Sequence, residues 1–380
     1  MNRITLKGKI SDYGQHPWIF RDRIKSVENQ KINAEVYVNG KFLGSAFYNP
    51  NGKLALRFYS RNKEEFNAGL VYERIKNSMD FRERVLKLKG AYRLFFAESD
   101  NMPGIIADFY GKGVVIQISS YGAEKLKGEI IEGFRMVGYE FLYEKSDNYA
   151  RRQENLEPFE GFHFGKVENV VVEIDGIKMK LPIGGQKTGL YLDQRVNWKI
   201  VSSLMENRER VLDAFSYTGG FTLNLLARGV KRVLAVDEDE EALSILKENL
   251  KLNGLKGAET IVGNVFDILD TFILSNDSFD GIILDPPAFA KSKDISGAIK
   301  GYTRLLDRAL RLIRKGGILA VFSCSHHIDY SHLEEILSKV AKRLFREVKI
   351  LYRLYQSPDH PVPVYFKESE YLRGLACLVY

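Results

Sequence analysis

Four residues that can do chemistry lie where apolar, strand-like segments of the sequence end. Asp213, Asp237 and Asp285 each stand at the end of such a segment. A fourth segment ends at Phe322, and Cys324 lies two positions beyond it. Ligands of open α/β sheets bind at the carboxyl ends of the strands, so a functional site is expected at these ends. The acids favour a ligand with positive charge or hydroxyl groups, and the thiol offers a nucleophile.

The loop that follows Asp213 predicts a site for S-adenosylmethionine (SAM) rather than for a dinucleotide. Asp237 follows Gly219 at roughly the 20-residue distance at which an acid binds ribose hydroxyls in nucleotide-binding sheets. The glycine pattern GxGxxG, which a pyrophosphate needs, is absent from this loop. An acid at its start suits the cationic amino group and sulfonium of SAM. The alternative is an ordinary strand–helix turn in which Asp213 caps the helix.

Cys324 determines the class of reaction that such a site could perform. C5 of a pyrimidine is too electron-poor to accept a methyl group directly, but addition of a thiolate at C6 makes C5 nucleophilic. A base then removes the C5 proton and the thiolate leaves. Methylation of an exocyclic nitrogen needs no thiol. Against this interpretation, a single cysteine at a strand end is more often a small buried hydrophobic residue.

The segment from Asp285 to Phe289 predicts a rigid turn beside a planar substrate. Pro286 and Pro287 fix the backbone and remove two N–H donors. The carboxylate and the nearby carbonyls are therefore held in place, and Phe289 is predicted to stack on a base.

The histidines and cysteines do not predict a metal site. Among the six histidines, His326, His327 and His332 form the one local group, and none has partners at the usual ligand spacing. The two cysteines, Cys324 and Cys377, exclude a disulfide framework and favour a reducing compartment. Cys377 is expected in the core.

Composition indicates a soluble intracellular protein with several domains. The chain has 380 residues, of which 45% are hydrophobic and 28% charged, with neither a signal peptide nor an apolar run that could cross a membrane. Most of the net charge of +7 lies in the first 60 residues, which contain ten basic and four acidic residues. A basic terminal domain suits a polyanion, although a solvated basic surface without a partner fits equally well.

Residues 1–68 predict a small β-barrel or sandwich. Asn39-Gly40 and Asn51-Gly52 are hairpin signals between short strand-like segments. Trp18, Arg21 and Arg23 lie where aromatic and basic residues alternate, a mixture that suits unpaired RNA bases and phosphates. The same mixture also suits an ordinary barrel core with a charged rim.

The rest of the chain supplies the elements that would position the four chemical residues. Residues 69–165 predict a central α+β domain, with Arg151 in a polar connector that could touch RNA. Residues 166–195 predict a hairpin around Asp175-Gly176 and a connector. Residues 196–380 alternate between strands and helices, which predicts a parallel, doubly wound sheet.

These residues and their neighbours resemble the signatures of class I SAM-dependent RNA methyltransferases. The matching segments are Asp213-Ala-Phe-Ser-Tyr-Thr-Gly-Gly-Phe221, Asp237, Asp285-Pro-Pro-Ala-Phe289 and Ser323-Cys-Ser325. Further segments resemble the large-subunit rRNA methyltransferase I family, which forms 5-methylcytosine: Thr188-Gly-Leu-Tyr-Leu-Asp-Gln-Arg195, Asp359-His-Pro361 and Tyr371-Leu-Arg-Gly374. His16-Pro-Trp-Ile-Phe20 looks like the start of that family's PUA domain, so the resemblance covers the whole chain.

The resemblance implies a multidomain α/β fold and a set of roles. An N-terminal PUA-like β-barrel and a central α+β domain would precede a Rossmann-like methyltransferase domain. Cys324 would be the nucleophile, and Asp285 would hold the cytosine edge and the reacting end of SAM. The residues implied to bind SAM are Asp213, Phe215, Ser216, Tyr217, Thr218, Gly219, Gly220, Asp237 at the ribose, Asn264 and Val265 beside adenine, Gln194, and Asp285. The residues predicted to contact RNA are Trp18, Arg21, Arg23, Arg151 and Phe289.

The expected function is methylation of C5 of a cytidine in 23S rRNA through a covalent adduct between Cys324 and C6. The substrate would be a single-stranded or flipped-out cytidine. Three alternatives stay open: a guanine methyltransferase without covalent catalysis, a uracil-C5 methyltransferase, and a non-catalytic RNA-binding assembly factor. We expect a cytoplasmic protein without membrane or metal partners, for which a homodimer is one option.

Overall fold

The computed structural model describes residues 1–184, 189–289, 295–325 and 327–380. The chain divides into two compact units. The first contains Met1–Asp175, Leu181–Gly189 and Pro358–Ser369, and the second contains Gly176–Lys180, Leu190–Ser357 and Glu370–Tyr380. The division into residues 1–68, 69–165, 166–195 and 196–380 stays a prediction.

The first unit begins with a six-stranded sheet. Its strands are β1 (Asn2–Leu6), β2 (Trp18–Phe20), β3 (Ile24–Val27), β4 (Asn33–Val38), β5 (Lys41–Tyr48) and β6 (Leu54–Ser60). They lie in the order β2-β6-β5-β4-β1-β3, with β1 parallel to β4 and the other pairs antiparallel. Asn39 and Gly40 have φ angles of 48° and 78°, as a type I′ turn requires, so the predicted hairpin is confirmed.

A five-stranded sheet with helices completes most of the first unit. The strands are β7 (Ala91–Phe96), β8 (Ile105–Tyr110), β9 (Gly113–Ile118), β10 (Phe141–Ser146) and β11 (Phe159–Phe164), and the helices are α1 (Ala68–Met79), α2 (Tyr121–Lys125), α3 (Lys127–Val137) and α4 (Tyr149–Gln153). Apolar side chains of α1 and α3, among them Val71 and Phe134, pack with the sheet residue Ile116. The sequence pattern predicts a helix up to Leu88, but α1 ends at Met79 and continues as a π-helical turn.

The predicted connector forms a hairpin. Its strands are β12 (Asn169–Ile174) and β13 (Ile177–Pro182). Asp175 and Gly176 have φ angles of 54° and 86°, so the turn signal is confirmed. Thr188, at the start of one of the family-like segments, lies outside the described residues.

The second unit is a seven-stranded sheet with helices. Its strands are β14 (Arg210–Ala214), β15 (Arg232–Asp237), β16 (Ala258–Val262), β17 (Phe279–Leu284), β18 (Ile313–Ser323), β19 (Val348–Tyr355) and β20 (Arg373–Val379). Its helices are α5 (Arg195–Leu204), α6 (Gly220–Ala227), α7 (Glu240–Leu252), α8 (Val265–Leu274), α9 (Ile295–Leu312) and α10 (Tyr330–Arg343).

The strand order places the predicted site at a topological switch point, where the order in which successive strands are added to the sheet reverses. The order is β16-β15-β14-β17-β18-β20-β19, so β14 lies between β15 and β17, and β14 to β18 are parallel. Ligands of doubly wound sheets bind in the crevice at such a point. The predicted parallel arrangement of β14 to β18 is confirmed, and the sheet continues with β20, which runs antiparallel to both β18 and β19. Cys377 in β20 is fully buried, as expected.

One helix also differs from its predicted bounds. The sequence predicts a helix over Tyr302–Arg314, whereas α9 covers Ile295–Leu312. It ends early because Ile313 already pairs with Phe279 in the sheet.

Candidate active site

The loop between β14 and α6 has a strained backbone. Phe215 and Tyr217 have φ angles of 67° and 48°, a left-handed conformation that is uncommon for aromatic residues. The loop is held by bonds from the N–H groups of Phe215 and Ser216 to the carbonyl of Val236, at 2.8 and 3.0 Å. Strained residues that persist in this way cluster at ligand-binding sites.

The two glycines of this loop are required by packing. Gly219 has a φ of 93°, and a Cβ there would lie 2.2 Å from Cδ1 of Leu246. A Cβ on Gly220 would lie 2.4 Å from the ring of Trp198. The close approach that these glycines permit is therefore an approach to protein side chains.

Asp213 presents one unpaired oxygen inside the second unit. Its side chain is buried, and Oδ2 accepts a 2.6 Å hydrogen bond from Oγ1 of Thr222. Oδ1 has no hydrogen-bond partner among the described residues, and neither has Oγ of Ser216. Burial raises the pKa of Asp213 to about 7. A buried acid with an open oxygen favours a cationic ligand, since positive charge would stabilise the carboxylate.

Asp237 and Asn264 already have protein partners. Asp237 accepts hydrogen bonds from the N–H groups of Tyr217 at 2.8 Å and Asp239 at 2.9 Å, so it fixes the loop. Each carboxylate oxygen keeps a second lone pair for a ligand. Asn264 caps α8 through the N–H of Phe266 and donates to Glu238 at 2.6 Å.

Asp285 is held by a chain of amides. Nε2 of Gln194 donates to Oδ2 of Asp285 at 3.0 Å, and Nδ2 of Asn197 donates to Oε1 of Gln194 at 2.6 Å. Because Asn197 fixes which end of the Gln194 amide faces Asp285, the carboxyl has one defined orientation. Burial and the nearby Asp193 raise the pKa of Asp285 to about 8, and the bond from Gln194 acts in the opposite direction.

Cys324 follows β18 and is half-buried. Burial and the carboxylates of Asp285 and Asp193 raise the pKa of its thiol to about 11. The backbone N–H groups of Cys324 and Ala288 act in the opposite direction. The sulfur is therefore within the electrostatic reach of the turn that follows Asp285. His326 lies outside the described residues.

The structure adds two residues that the sequence analysis does not select as site residues. Oδ2 of Asp193 accepts a 2.6 Å hydrogen bond from the hydroxyl of Tyr371, and its carboxylate acts on both Asp285 and Cys324. Both residues lie in family-like segments of the sequence, but no local pattern shows that these segments meet.

A cleft brings six of the predicted residues together. Its walls include Phe215, Ser216, Tyr217, Thr218, Gly220 and Asp285, together with Met179, Leu190, Tyr191, Trp198 and Phe221. The other predicted residues of this unit do not line it: Asp213, Gly219, Asp237, Asn264, Val265, Gln194, Phe289 and Cys324. The rings of Tyr191 and Tyr217 meet edge to face at 5.0 Å.

The residues predicted to contact RNA differ in exposure. Arg23 is exposed, whereas Arg21 donates to the carbonyls of Asn49 and Gly52. Trp18 donates from Nε1 to Glu98 at 2.7 Å. These contacts commit Arg21 and Trp18 in part to the fold.

Arg151 and Phe289 also make contacts with other residues of the unit to which each belongs. Arg151 is buried and donates to the carbonyl of Ile118 and to Glu124, at 2.9 and 2.8 Å, so its burial does not support an RNA contact. Phe289 packs edge to face on Tyr302 at 4.9 Å.

The part of the chain that the structure describes has neither a membrane-spanning helix nor a metal-binding cluster. No helix there is long and apolar enough to span a membrane. No group of three or more His, Cys, Asp and Glu side chains there could hold a metal ion.

Comparison with known proteins identifies the family. Residues 155–364 match the profile of S-adenosylmethionine-dependent methyltransferases, and residues 11–61 match that of PUA-like domains. Ribosomal RNA large subunit methyltransferase I of Vibrio vulnificus strain CMCP6 is 37% identical over 96% of both chains. The chain belongs to this methyltransferase family. The protein of the same name from Aeromonas salmonicida is 37% identical over 95% of this chain and 94% of its own.

Solved structures of other methyltransferases share the fold of this protein. A methyltransferase in complex with SAH aligns with a TM-score of 0.79 at 24% identity, over 91% of both chains. A SAM-dependent methyltransferase from Streptococcus mutans aligns with a TM-score of 0.80 at 22% identity over both full chains. The family profiles confirm the PUA-like N-terminal domain and the C-terminal methyltransferase domain, and SAM is the cofactor of this family. The residues present fit SAM, because the unpaired Oδ1 of Asp213 suits its cationic end.

Proposed function

We propose that this protein methylates C5 of a cytidine in large-subunit rRNA, with Cys324 as the covalent nucleophile. The observation that carries the proposal is the position of Asp285 and Cys324 just beyond neighbouring parallel strands, where Leu284 lies opposite Val321. Methylation of a guanine nitrogen needs no thiol at this edge, whereas methylation at C5 of a pyrimidine needs one.

SAM would supply an electrophilic methyl group on its sulfonium. Oδ1 of Asp213 and the hydroxyl of Ser216 would bind its amino-acid end, since neither has a hydrogen-bond partner among the described residues. Asp237 would accept from the ribose hydroxyls through its remaining lone pairs. Asn264 and Val265 would lie beside adenine. Gln194 would act mainly by orienting Asp285, to which it donates.

The protonation of Asp285 favours cytosine over uracil. With a pKa of about 8, its carboxyl carries a proton at neutral pH and can donate a hydrogen bond. N3 of cytosine is an acceptor, whereas N3 of uracil carries a hydrogen. Because Gln194 occupies Oδ2, the proton of Asp285 would lie on Oδ1, directed to the base.

Cys324 would act in two stages. Its thiol would first lose a proton to solvent, and the thiolate would form a bond to C6 while the C5–C6 electron pair moves to C5. C5 would then take the methyl group as the bond from the methyl carbon to the sulfonium breaks, which leaves the neutral thioether. Loss of the C5 proton then restores the C5–C6 double bond, and the bond between sulfur and C6 breaks. The N–H of Ala288 would stabilise the thiolate, since it lowers the thiol pKa.

The RNA substrate is proposed from the N-terminal part of the chain and from the named activity of the relatives. A PUA-like domain covers residues 11–61, and the first 60 residues contain ten basic and four acidic residues. Such a domain would supply salt-dependent affinity for phosphates, with Arg23 exposed for that contact. The target cytidine would be unpaired or flipped out of a helix.

The proposal is tested by trapping the adduct. RNA that contains 5-fluorocytidine has no C5 proton to lose, so the wild-type protein should form a stable protein–RNA complex in the presence of SAM. Cys324→Ala should form none, and methyl transfer should fall by roughly a thousandfold or more while SAM binding persists. Cys377→Ala is the matched control, because this second cysteine is fully buried in β20.

The methylated nucleoside distinguishes the alternatives. Labelled SAM and rRNA from cells that lack this protein should give 5-methylcytidine after digestion and mass spectrometry. Label in a methylguanosine, with Cys324→Ala fully active, would overturn the proposal. Label in 5-methyluridine would contradict the assignment of Asp285 as a hydrogen-bond donor.

A further inference from the structure

A polar cavity in the first unit has no part in the proposed reaction. Its volume is about 580 Å³, which lies within the roughly 300–1,000 Å³ of ligand sites. Its walls come from the end of β6 and the residues that follow, from α1 and the π-helical turn after it, and from the turn around Asp100.

The charged side chains of this cavity leave one arginine uncompensated. Arg82 donates to both oxygens of Asp100 at 2.7 Å, and Arg74 pairs with Glu64 at 3.3 Å. Arg61 makes no ion pair with a carboxylate in the described part of the chain; its guanidinium donates to backbone carbonyls, at 2.7 and 3.2 Å for the shortest two. The exposed Arg61 therefore gives the wall a net positive charge that suits an anion.

The π-helical turn places an aromatic ring in the same wall. It covers Asp80–Val85 and is closed by a 3.0 Å bond from the N–H of Leu86 to the carbonyl of Phe81. Such turns are rare and occur frequently at functional sites. The half-buried Phe81 lines the cavity, with the guanidinium of Arg82 4.9 Å from its ring centroid. A planar ring in a polar cavity provides a surface on which a base can stack.

Amide and hydroxyl groups complete the walls. Asn77 and Asn101 are exposed and line the cavity, and an asparagine amide offers one acceptor and two donors. This is the pattern that matches the edge of a nucleobase. Ser99 also lines the cavity, and its buried Oγ has no hydrogen-bond partner among the described residues.

We propose that this cavity binds one nucleotide unit, with its base on Phe81 and the amides and its phosphate at Arg61. An RNA chain and a free nucleotide carry the same base and phosphate, so the chemistry is shared and the experiment separates the two sources. The assignment to RNA rests on the proposed function. A nucleotide of the RNA other than the target cytidine would then be held by the first unit itself.

The test uses Asn77→Asp in the full chain, which places negative charge in the wall without removing an internal hydrogen bond that the structure shows. Binding of a short single-stranded rRNA fragment, measured by fluorescence anisotropy, should weaken by about tenfold, the size expected for loss of one stacked nucleotide. The KM for rRNA should rise with kcat unchanged. Asn276→Asp makes the same charge change at an exposed position of the second unit and should change neither value.

A crosslinking measurement keeps the inference falsifiable if Asn77→Asp perturbs folding. RNA with 4-thiouridine, irradiated on the wild-type protein and digested, should give an adduct on the peptide that contains Asn77 to Arg82. Adducts only elsewhere would rule out RNA as the source of the nucleotide, whether or not the variant folds. The proposed methylation of rRNA would be unaffected by that result. A failure of the cavity proposal can therefore be distinguished from a failure of the proposed function.

Mononucleotides separate the two sources of the ligand. If 5′-monophosphates of the four nucleosides compete with the RNA and lose affinity for Asn77→Asp, the nucleotide chemistry is supported and RNA is its source. If they bind with this dependence while RNA binding does not respond, the ligand is a free nucleotide. If neither binds the wild-type cavity, the proposal is wrong.

Discussion

Gln194 donates a 3.0 Å hydrogen bond to Asp285 across 91 residues of sequence, and Asn197 fixes the orientation of the donating amide. The relationship places a carboxyl with a raised pKa in one orientation at the carboxyl end of β17. The bond from Gln194 determines which oxygen of Asp285 is occupied, whereas the raised pKa of Asp285 comes from burial and the nearby Asp193.

Gln194→Met should slow the reaction without preventing cofactor binding. The variant keeps side-chain length but removes the donor, so Asp285 loses its orientation and kcat is expected to fall roughly tenfold, as for one lost hydrogen bond. SAM affinity, measured by calorimetry, should change little. Gln117→Met is a matched control, because this partly buried glutamine donates to a carbonyl in the first unit. A fall in SAM affinity with unchanged kcat would assign Gln194 to the cofactor instead.

SAM binding should release protons near neutral pH. Asp213 has a pKa of about 7 without ligand, so it is about half protonated at pH 7, and a cationic ligand favours its ionised form. Roughly half a proton should be released at pH 7, and affinity should decline as the pH falls below 7. Calorimetry in two buffers with different ionisation enthalpies measures the release. Asp213→Asn should abolish this contribution and bind SAM more weakly; an unchanged proton release would contradict the assignment.

The pH dependence of methyl transfer should show a break near pH 8. The proposed reaction needs Asp285 protonated and Cys324 deprotonated, and their pKa values are about 8 and about 11. Below pH 8 the rate should rise tenfold per pH unit as thiolate accumulates. Above pH 8 the loss of the Asp285 proton should cancel that gain and give a plateau. With Asp285→Asn, which cannot ionise, the slower rate should continue to rise past pH 8.

Arg151→Met should reduce stability rather than RNA affinity. Arg151 is buried, and its loss leaves the carbonyl of Ile118 and one oxygen of Glu124 without a donor. The free energy of unfolding is expected to fall by about 3 kcal/mol, which urea titration measures. Arg152→Met is the control, since Arg152 is exposed beside it and should cost much less. RNA binding that weakens in Arg151→Met without loss of stability would restore the sequence-based prediction.

The sequence by itself determined the local features of this protein. Short apolar segments that alternate with helical ones predicted β14 to β18, and the Asn39-Gly40 and Asp175-Gly176 pairs predicted their turns, because side-chain pattern and φ preferences act over a few residues. The position of Asp213, Asp237, Asp285 and Cys324 at strand ends followed from the same patterns. The site residues themselves stay predictions.

Only the tertiary structure decided which segments meet. The antiparallel β19 and β20 escaped prediction, because strand direction depends on long-range pairing rather than on local pattern. The contact of Asp193 with Tyr371 spans 178 residues, and the unpaired oxygen of Asp213 is a property of its burial. The sequence predicted Arg151 as a residue of a polar connector, whereas in the fold it is buried and forms an ion pair with Glu124. Hydrogen bonding and desolvation depend on neighbours that folding brings together, and a linear sequence does not contain their distances.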